Sequence, residues 1–160
     1  MSVRLVLDTT ALLAYVSGDT RAVEVGELIA VVAEDGDVTG IPALCLIAVH
    51  RQVDAEQRAK LLELSGDDGP TVILPVLAAD IGSVAELAER LPYDLAQAAS
   101  AADQHDALLA TYDRSAYATA VDPGRHPRPL TTWTRPAVGG IWRHRSEGPV
   151  AGQQGQRGQR

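Results

Sequence analysis

The chain of 160 residues is long enough for one domain with one hydrophobic core, and its 46% hydrophobic and 22% charged residues are those of an ordinary soluble globule. Its charge is uneven, because residues 1–120 carry 7 basic and 19 acidic side chains whereas residues 121–160 carry 7 arginines and 2 acidic residues. An acidic body of this kind does not attract nucleic acid by bulk charge, so a phosphate substrate would need local help from arginine, from the tail or from a metal.

Cysteine content and the distribution of charges favour a cytoplasmic protein. Cys45 is the only cysteine, which excludes an intrachain disulfide and is typical of a reducing compartment. The N-terminal segment reaches Asp8 too early to contain the apolar region of a secretory signal. Stretches without charged side chains, such as 38–50, are too short to span a bilayer. We therefore expect a cytoplasmic protein without a membrane segment.

Along the chain, apolar runs typical of strands alternate with stretches of helical periodicity. The predicted strands are 3–7, a short strand within 35–42, 71–77, 107–112 and 128–134. The predicted helices are 10–16, 21–34, 42–64 with or without a bend, 80–90 and 94–104. This order predicts an α/β fold with a mostly parallel sheet and helices on both faces.

Two prolines and one aspartate mark element boundaries. Pro42 suits the first turn of a helix. Pro75 lies late in the third predicted strand, which indicates an edge strand or a bulge, because proline cannot donate to the sheet. Asp80 is predicted to cap the helix that follows it.

The composition changes to glycine, glutamine and arginine near residue 139. This segment lacks apolar side chains to bury, so we predict a disordered tail over 139–160 after a domain covering 1–138. Its arginines would either steer RNA electrostatically or keep the tail solvated, and the second role is the commoner one. These arginines are Arg143, Arg145, Arg157 and Arg160.

Three aspartates are predicted near the carboxyl edge of the sheet, where open parallel sheets bind ligands. Asp8 ends the first strand, Asp113 follows the strand 107–112, and Asp94 begins the helix before that strand. Three converging carboxylates would repel one another unless a cation joined them. Mg²⁺ takes oxygen ligands and retains waters, and it can activate water for attack on a phosphodiester. The pattern thus points to a metal site.

Each of these residues also has a purely structural interpretation. Asp8 and Asp94 are good caps for the helices that follow them, and Asp113 suits a turn. Thr9 and Thr10 add hydroxyls that suit a helix cap or a metal-bound water, with capping the commoner role. Singly, each residue favours the structural interpretation, and only the set of three favours a site.

Other kinds of site find little support. The sequence contains neither G-x-x-x-x-G-K nor G-x-G-x-x-G, so a phosphate-binding glycine loop is unsupported. Cys45 lies in an apolar helix and is predicted to pack in the core. The histidines show no metal-ligand spacing. They are His50, His105, His126 and His144.

Three segments together resemble the PIN domain family, which includes the VapC-type toxins of bacterial toxin–antitoxin pairs. They are "VLDTTALLAYVSGD" with Asp8, "VTGIPALCLIAVH" with the middle proline, and "YDLAQAASAADQHDALLATYDRSAY" with Asp94 and Asp113. The likeness covers roughly residues 3 to 134. The ordered set of three segments is more specific than the first segment alone.

The resemblance implies a three-layer α/β/α PIN-like fold and a metal-dependent endoribonuclease that hydrolyses RNA phosphodiester bonds. It implies that Asp8, Asp94 and Asp113 are catalytic and ligate Mg²⁺ or Mn²⁺. The implied partners are RNA, a small antitoxin protein whose segment enters the acidic groove, and a second copy of the chain in a homodimer.

The chain departs from the family pattern at one acidic position. The family places a glutamate six residues after the middle proline, where this chain has Ala48, and Ser115 stands where many relatives carry another acid. Two hypotheses follow. The first is a metal-dependent ribonuclease of the VapC type working with three aspartates, which the retained aspartates favour. The alternative is a degenerate PIN-like module that binds RNA or protein without cleaving, which Ala48 favours.

Overall fold

The computed structural model describes residues 1–66 and 69–118. The predicted strand 128–134, the boundary at residue 138 and the predicted tail 139–160 lie outside the described residues. The described strands are β1 (Val3–Leu7), β2 (Val38–Pro42), β3 (Thr71–Leu74) and β4 (Leu108–Ala110). The described helices are α1 (Thr9–Ser17), α2 (Thr20–Glu34), α3 (Ala43–His50), α4 (Ala55–Leu64), α5 (Ile81–Ala88), α6 (Tyr93–Gln104) and α7 (Arg114–Ala118).

The strands form one parallel sheet in the order β3-β2-β1-β4. Strand β1 pairs with β2 on one side and with β4 on the other. Val6 and Leu7 at its carboxyl end are fully buried, which is typical of a parallel strand covered on both faces. The predicted α/β class with a parallel sheet, in a three-layer α/β/α arrangement, is confirmed.

Local capping explains where several helices begin and end. Asp8 and Asp19 accept backbone hydrogen bonds at the starts of α1 and α2, as N-cap aspartates do. Gly18 adopts a left-handed conformation with φ of 74° and ends α1, because a residue without a Cβ enters that region at little cost. The short turn between α1 and α2 therefore follows directly from the sequence.

The predicted helix 42–64 is two helices. α3 ends at His50, and α4 begins after Asp54, whose side chain accepts from Gln57 N while Gln57 Oε1 accepts from Asp54 N. This reciprocal pair is a capping box, which starts a new helix and separates it from the preceding one. The capping residues were present in the sequence, but the apolar periodicity continued across them.

Three other boundaries differ from the prediction. β3 lies at the sheet edge, as Pro75 indicated, but it ends before that proline. β4 is shorter than the predicted 107–112. Asp80 precedes α5 without capping it, because its carboxylate accepts from Leu77 N and from Gln104 Nε2. The side chain that was expected to cap α5 instead ties the preceding loop to α6.

In the described part of the chain, every helix is too short or too polar to cross a membrane.

Candidate functional site

The carboxyl ends of the four strands lie along one edge of the sheet, because all of them run in the same direction. Helix α3 starts directly after β2 at this edge, and α1 starts directly after β1. The Asp8 amide donates to the Ala110 carbonyl at 3.2 Å, which extends the pairing of β1 and β4 to the edge itself. Asp8 is therefore held in place by its own backbone as well as by its side chain.

Gln97 brings helix α6 to this edge. Its Oε1 accepts from the Leu44 amide at 2.8 Å, and its Nε2 donates to the Leu74 carbonyl at 2.9 Å. The side chain is buried, so both ends of one amide satisfy backbone groups at the start of α3 and the end of β3. Asp94 lies three residues earlier on α6, which places it on the same helix face.

Asp8 is fully buried, and each of its carboxylate oxygens accepts from the protein. Oδ1 accepts from Thr10 Oγ1 at 2.7 Å and from Ala11 N at 2.9 Å. Oδ2 accepts from the Tyr117 hydroxyl at 3.1 Å. Asp8 thus caps α1, as its structural interpretation predicted, and its charge faces the positive end of that helix.

Thr9, the residue after Asp8, connects Asp94 to the start of α1. Thr9 Oγ1 donates to Asp94 Oδ2 at 2.5 Å, and the Cys45 thiol donates to the Asp94 carbonyl at 3.1 Å. Asp94 is the second residue of α6, whose N-cap position is taken by Pro92. Its predicted role as the cap of α6 is therefore wrong, although its charge still lies in the favourable first turn.

Two further titratable groups belong to this cluster, and both are neutral at ordinary pH. Burial raises the pKa of the Cys45 thiol to about 12, and the charges of Asp8 and Asp94 add to that effect. Burial, together with the Asp8 charge and its hydrogen bond, raises the pKa of Tyr117 well above its usual range. The thiol and the phenol therefore remain protonated donors beside the two carboxylates.

The two threonines have different roles from the expected helix capping. Thr9 is buried and donates to Asp94. Thr10 donates to Asp8 and accepts from the Tyr112 amide at 2.8 Å, which fixes the segment after β4. Both hydroxyls connect elements that are distant in sequence. This function cannot be read from the local pattern that suggested a cap.

Asp113 belongs to its own helix start. Its Oδ1 accepts from the Ser115 hydroxyl at 2.6 Å and from the Ala116 amide at 3.2 Å, and the side chain is exposed. The Ser115 hydrogen bond is the main cause that lowers the pKa of this carboxyl. These contacts place the Asp113 side chain at the start of α7, as an N-cap residue would be placed.

The donors near this edge were expected to hold a divalent cation. Over residues 1–66 and 69–118, no three side chains of His, Cys, Asp or Glu are arranged to hold one metal ion. Ala48 is half-buried on α3, one turn beyond Cys45, and offers no ligand atom. Both oxygens of Asp8 are already hydrogen-bonded. In this arrangement Asp8 exposes no oxygen to solvent, and Asp113 accepts hydrogen bonds within its own helix start.

An open groove of about 830 Å³ lies between α2 and the end of α4, apart from the two carboxylates. Val23, Ile29 and Leu64 give it an apolar lining, and Asp19 and Glu63 add acidic groups. The sequence contained no motif for this groove, since residues of α1, α2 and α4 and of the loops after α1 and α4 form it together.

No protein-family model matches the chain, and no curated protein matches it.

Proposed function

We propose that the chain is a PIN-like protein that binds a protein partner and does not cleave RNA. The burial and the hydrogen bonds of Asp8 are the main support for this proposal. This carboxylate is buried, and its oxygens accept from Thr10, Ala11 and Tyr117. The hydrogen-bond donors of the protein therefore replace the water that this carboxylate loses when it is buried.

Ala48 supports the same proposal. It lies on α3, the helix whose Cys45 contacts Asp94, at the position where the family resemblance implies a glutamate. A methyl group neither ligates a metal nor orients a water. The carboxylates near this edge therefore lack the partner that metal-assisted hydrolysis of a phosphodiester would require.

The distribution of charge favours protein over RNA as the partner. Residues 1–118 carry 19 acidic side chains against 7 basic ones. RNA-binding surfaces gain most of their affinity from contacts between basic side chains and phosphates, and an acidic body opposes that contact. A cationic segment of a partner protein matches the charge of this surface.

The groove between α2 and α4 is the surface that we assign to this partner. Its lining combines apolar side chains with two acidic residues, Asp19 and Glu63, and one basic residue, Lys60, which pairs with Glu56. This lining suits an amphipathic segment that carries arginine or lysine. Val23 is 60% exposed there. Burying such a side chain against a partner would contribute about 1.5 kcal/mol or more to binding.

A second candidate function is the metal-dependent ribonuclease of the original resemblance. The observation that favours it is the proximity of Asp8 and Asp94, which Thr9 connects at the carboxyl edge. Two carboxylates at this edge are the minimum from which a metal site could be completed by substrate and water.

A cleavage assay separates the two candidates. Wild type and Asp8→Asn are incubated with structured RNA and Mn²⁺, and the products are resolved on a denaturing gel. We expect no cleavage by the wild type above the background of the variant. Metal-dependent cleavage that the variant lacks would contradict the proposal and support the ribonuclease. Ala48→Glu extends the assay, because RNA cleavage gained by this variant would show that the wild-type site is inactive because of the residue at position 48.

Two binding measurements test the choice of partner. Fluorescence anisotropy with labelled single-stranded RNA at low salt should give no saturable binding, and saturable binding would favour an RNA-binding module. A protein that co-purifies with the chain is then identified, purified and titrated against Val23→Glu and the matched control Leu62→Glu. Leu62 is also 60% exposed and lies outside the groove. Affinity should fall for the first variant alone, and equal affinity for both would exclude the groove.

A further inference from the structure

Tyr117 connects the last described helix to the first strand. It lies on α7, and its side chain is 2% exposed. Its hydroxyl donates to Asp8 Oδ2 at 3.1 Å, whereas the two donors to Oδ1, Thr10 and Ala11, come from α1 itself. The contact of Asp8 Oδ2 therefore depends on α7, an element that lies more than 100 residues away along the chain.

The hydroxyl of Tyr117 is a stable donor in this place. The side chain packs with Val84, Leu91, Leu95 and Ala96 in a small apolar cluster. A phenol is protonated at neutral pH, so this hydroxyl donates to Asp8. The ring is held by the apolar cluster while the hydroxyl points at the carboxylate, and both features are needed to cover a buried charge.

We infer that Tyr117 prevents the carboxylates of Asp8 and Asp94 from binding a metal ion. Its hydroxyl occupies the position beside Asp8 Oδ2 that a divalent cation would need. In this state the chain excludes Mn²⁺, and α7 covers the edge of the sheet beside Asp8. The inference deepens the proposed function, since it names the residue that, together with Ala48, keeps the pair from acting as a metal site.

The test uses Mn²⁺ alone, without RNA, and measures binding by isothermal titration calorimetry. Five proteins are compared: wild type, Asp8→Asn, Ala48→Glu, Ala48→Glu with Tyr117→Ala, and this double variant with Asp8→Asn added. We expect no saturable binding by the wild type. Ala48→Glu alone should bind weakly or not at all, because Tyr117 still covers Asp8.

The decisive comparison is between the single and the double variant. We expect Ala48→Glu with Tyr117→Ala to bind Mn²⁺ at least about tenfold more tightly than Ala48→Glu, the scale on which metal sites respond to changes beside their ligands. Adding Asp8→Asn should abolish that binding. Circular dichroism checks that each variant is folded. If removal of the ring unfolds the chain, Ala48→Glu with Tyr117→Phe keeps the ring and removes only the hydroxyl, and it should also bind more tightly than Ala48→Glu.

Several outcomes would overturn the inference. Wild-type Mn²⁺ binding that Asp8→Asn abolishes would show that Tyr117 does not exclude the ion. If Ala48→Glu binds Mn²⁺ as tightly as a folded variant that also lacks the Tyr117 hydroxyl, Tyr117 is not the residue that excludes the ion from Asp8. A wild type that binds Mn²⁺ without cleaving RNA would overturn this inference and leave the proposed function standing, whereas RNA cleavage by a wild type that binds no Mn²⁺ would do the reverse.

Discussion

The hydroxyl of Tyr117 donates to Oδ2 of Asp8 across 109 positions of sequence, at a distance of 3.1 Å. This contact joins α7 to the end of β1, at the edge where a parallel sheet usually holds its ligands. Thr9 makes the equivalent connection from the other side by donating to Asp94. Hydroxyl groups therefore donate to both carboxylates, and each carboxylate also lies at the positive end of a helix.

Removing the Tyr117 hydroxyl should destabilise the fold. Tyr117→Phe keeps the ring packing but leaves Asp8 Oδ2 without its donor, and a lost hydrogen bond to a charged group costs about 2 kcal/mol. We expect the free energy of unfolding in urea to fall by that amount. Tyr112→Phe is the matched control, because the Tyr112 hydroxyl bonds Glu24 at an exposed position. Equal losses for the two variants would show that the Asp8 contact has no special weight.

Two substitutions of Thr9 should separate the contribution of its hydroxyl to stability from the contribution of its side-chain volume. Thr9→Val removes the donor to Asp94 and keeps a similar volume, so we expect a loss of about 1.5 kcal/mol in the free energy of unfolding. Thr9→Ser keeps the hydroxyl and should recover much of that loss. Chemical denaturation of both variants provides the measurement. A serine variant no more stable than the valine variant would assign the effect to packing instead of to the hydrogen bond.

Gln97 should be important for stability although it is not a candidate catalytic residue. Gln97→Leu leaves the Leu44 amide and the Leu74 carbonyl without their partner, and each buried unsatisfied group costs about 1 kcal/mol or more. We therefore expect a combined loss of about 2 kcal/mol or more in thermal or urea unfolding. Gln52→Ala, which loses an exposed hydrogen bond to the Ala48 carbonyl, serves as the control and should be near neutral. Neutral behaviour of Gln97→Leu would contradict the assigned bridge.

Stability should fall at alkaline pH because Cys45 is buried. Burial raises the pKa of its thiol from an ordinary 9.0 to about 12 in the folded chain. The unfolded chain therefore loses the thiol proton at a lower pH than the folded chain does. The stability that the protonated thiol contributes is fully present below pH 9 and is lost as the pH rises from 9 towards 12. Asp8 and Asp94 face the thiol and oppose its charge. Cys45→Ala should weaken this decline relative to wild type.

The control for this pH dependence is internal to the comparison. Tyr112 has no electrostatic coupling to Cys45, whereas the Cys45 charge is one of the smaller causes that raise the pKa of Tyr117. The difference between the two stability profiles therefore reports the thiol together with its effect on Tyr117. Parallel profiles from pH 8 to pH 11, measured by urea unfolding, would contradict the assigned role of Cys45.

Local patterns were sufficient to predict much of the fold. The apolar run before Asp8 predicted a buried strand, and the aspartate predicted the start of α1. Pro75 predicted an edge strand or a bulge, and β3 lies at the sheet edge but ends before that proline. The capping box at Asp54 was equally local, but the continuous helical periodicity concealed it.

The candidate site was less accessible to sequence reasoning because its contacts are long-range. Asp8 and Asp94 were expected near one edge, and the structure joins them through Thr9. Tyr117 and Gln97 carried no signal, since a buried tyrosine or glutamine is identified only by the distant groups that it bonds. The position of Asp113 at its own helix start is local and agrees with its sequence context, but the sequence also allowed convergence with the other two aspartates.

Paramagnetic broadening by Mn²⁺ in a ¹H–¹⁵N correlation spectrum tests the central claim most directly. The amides of Thr9 and Ala11 lie beside the Asp8 carboxylate, so an ion bound there would broaden their signals selectively. We predict that these signals in the wild type are broadened no more than those in Asp8→Asn at the same Mn²⁺ concentration. Selective loss of the Thr9 and Ala11 signals in the wild type alone would contradict the claim that hydroxyl groups, and not a cation, satisfy this carboxylate.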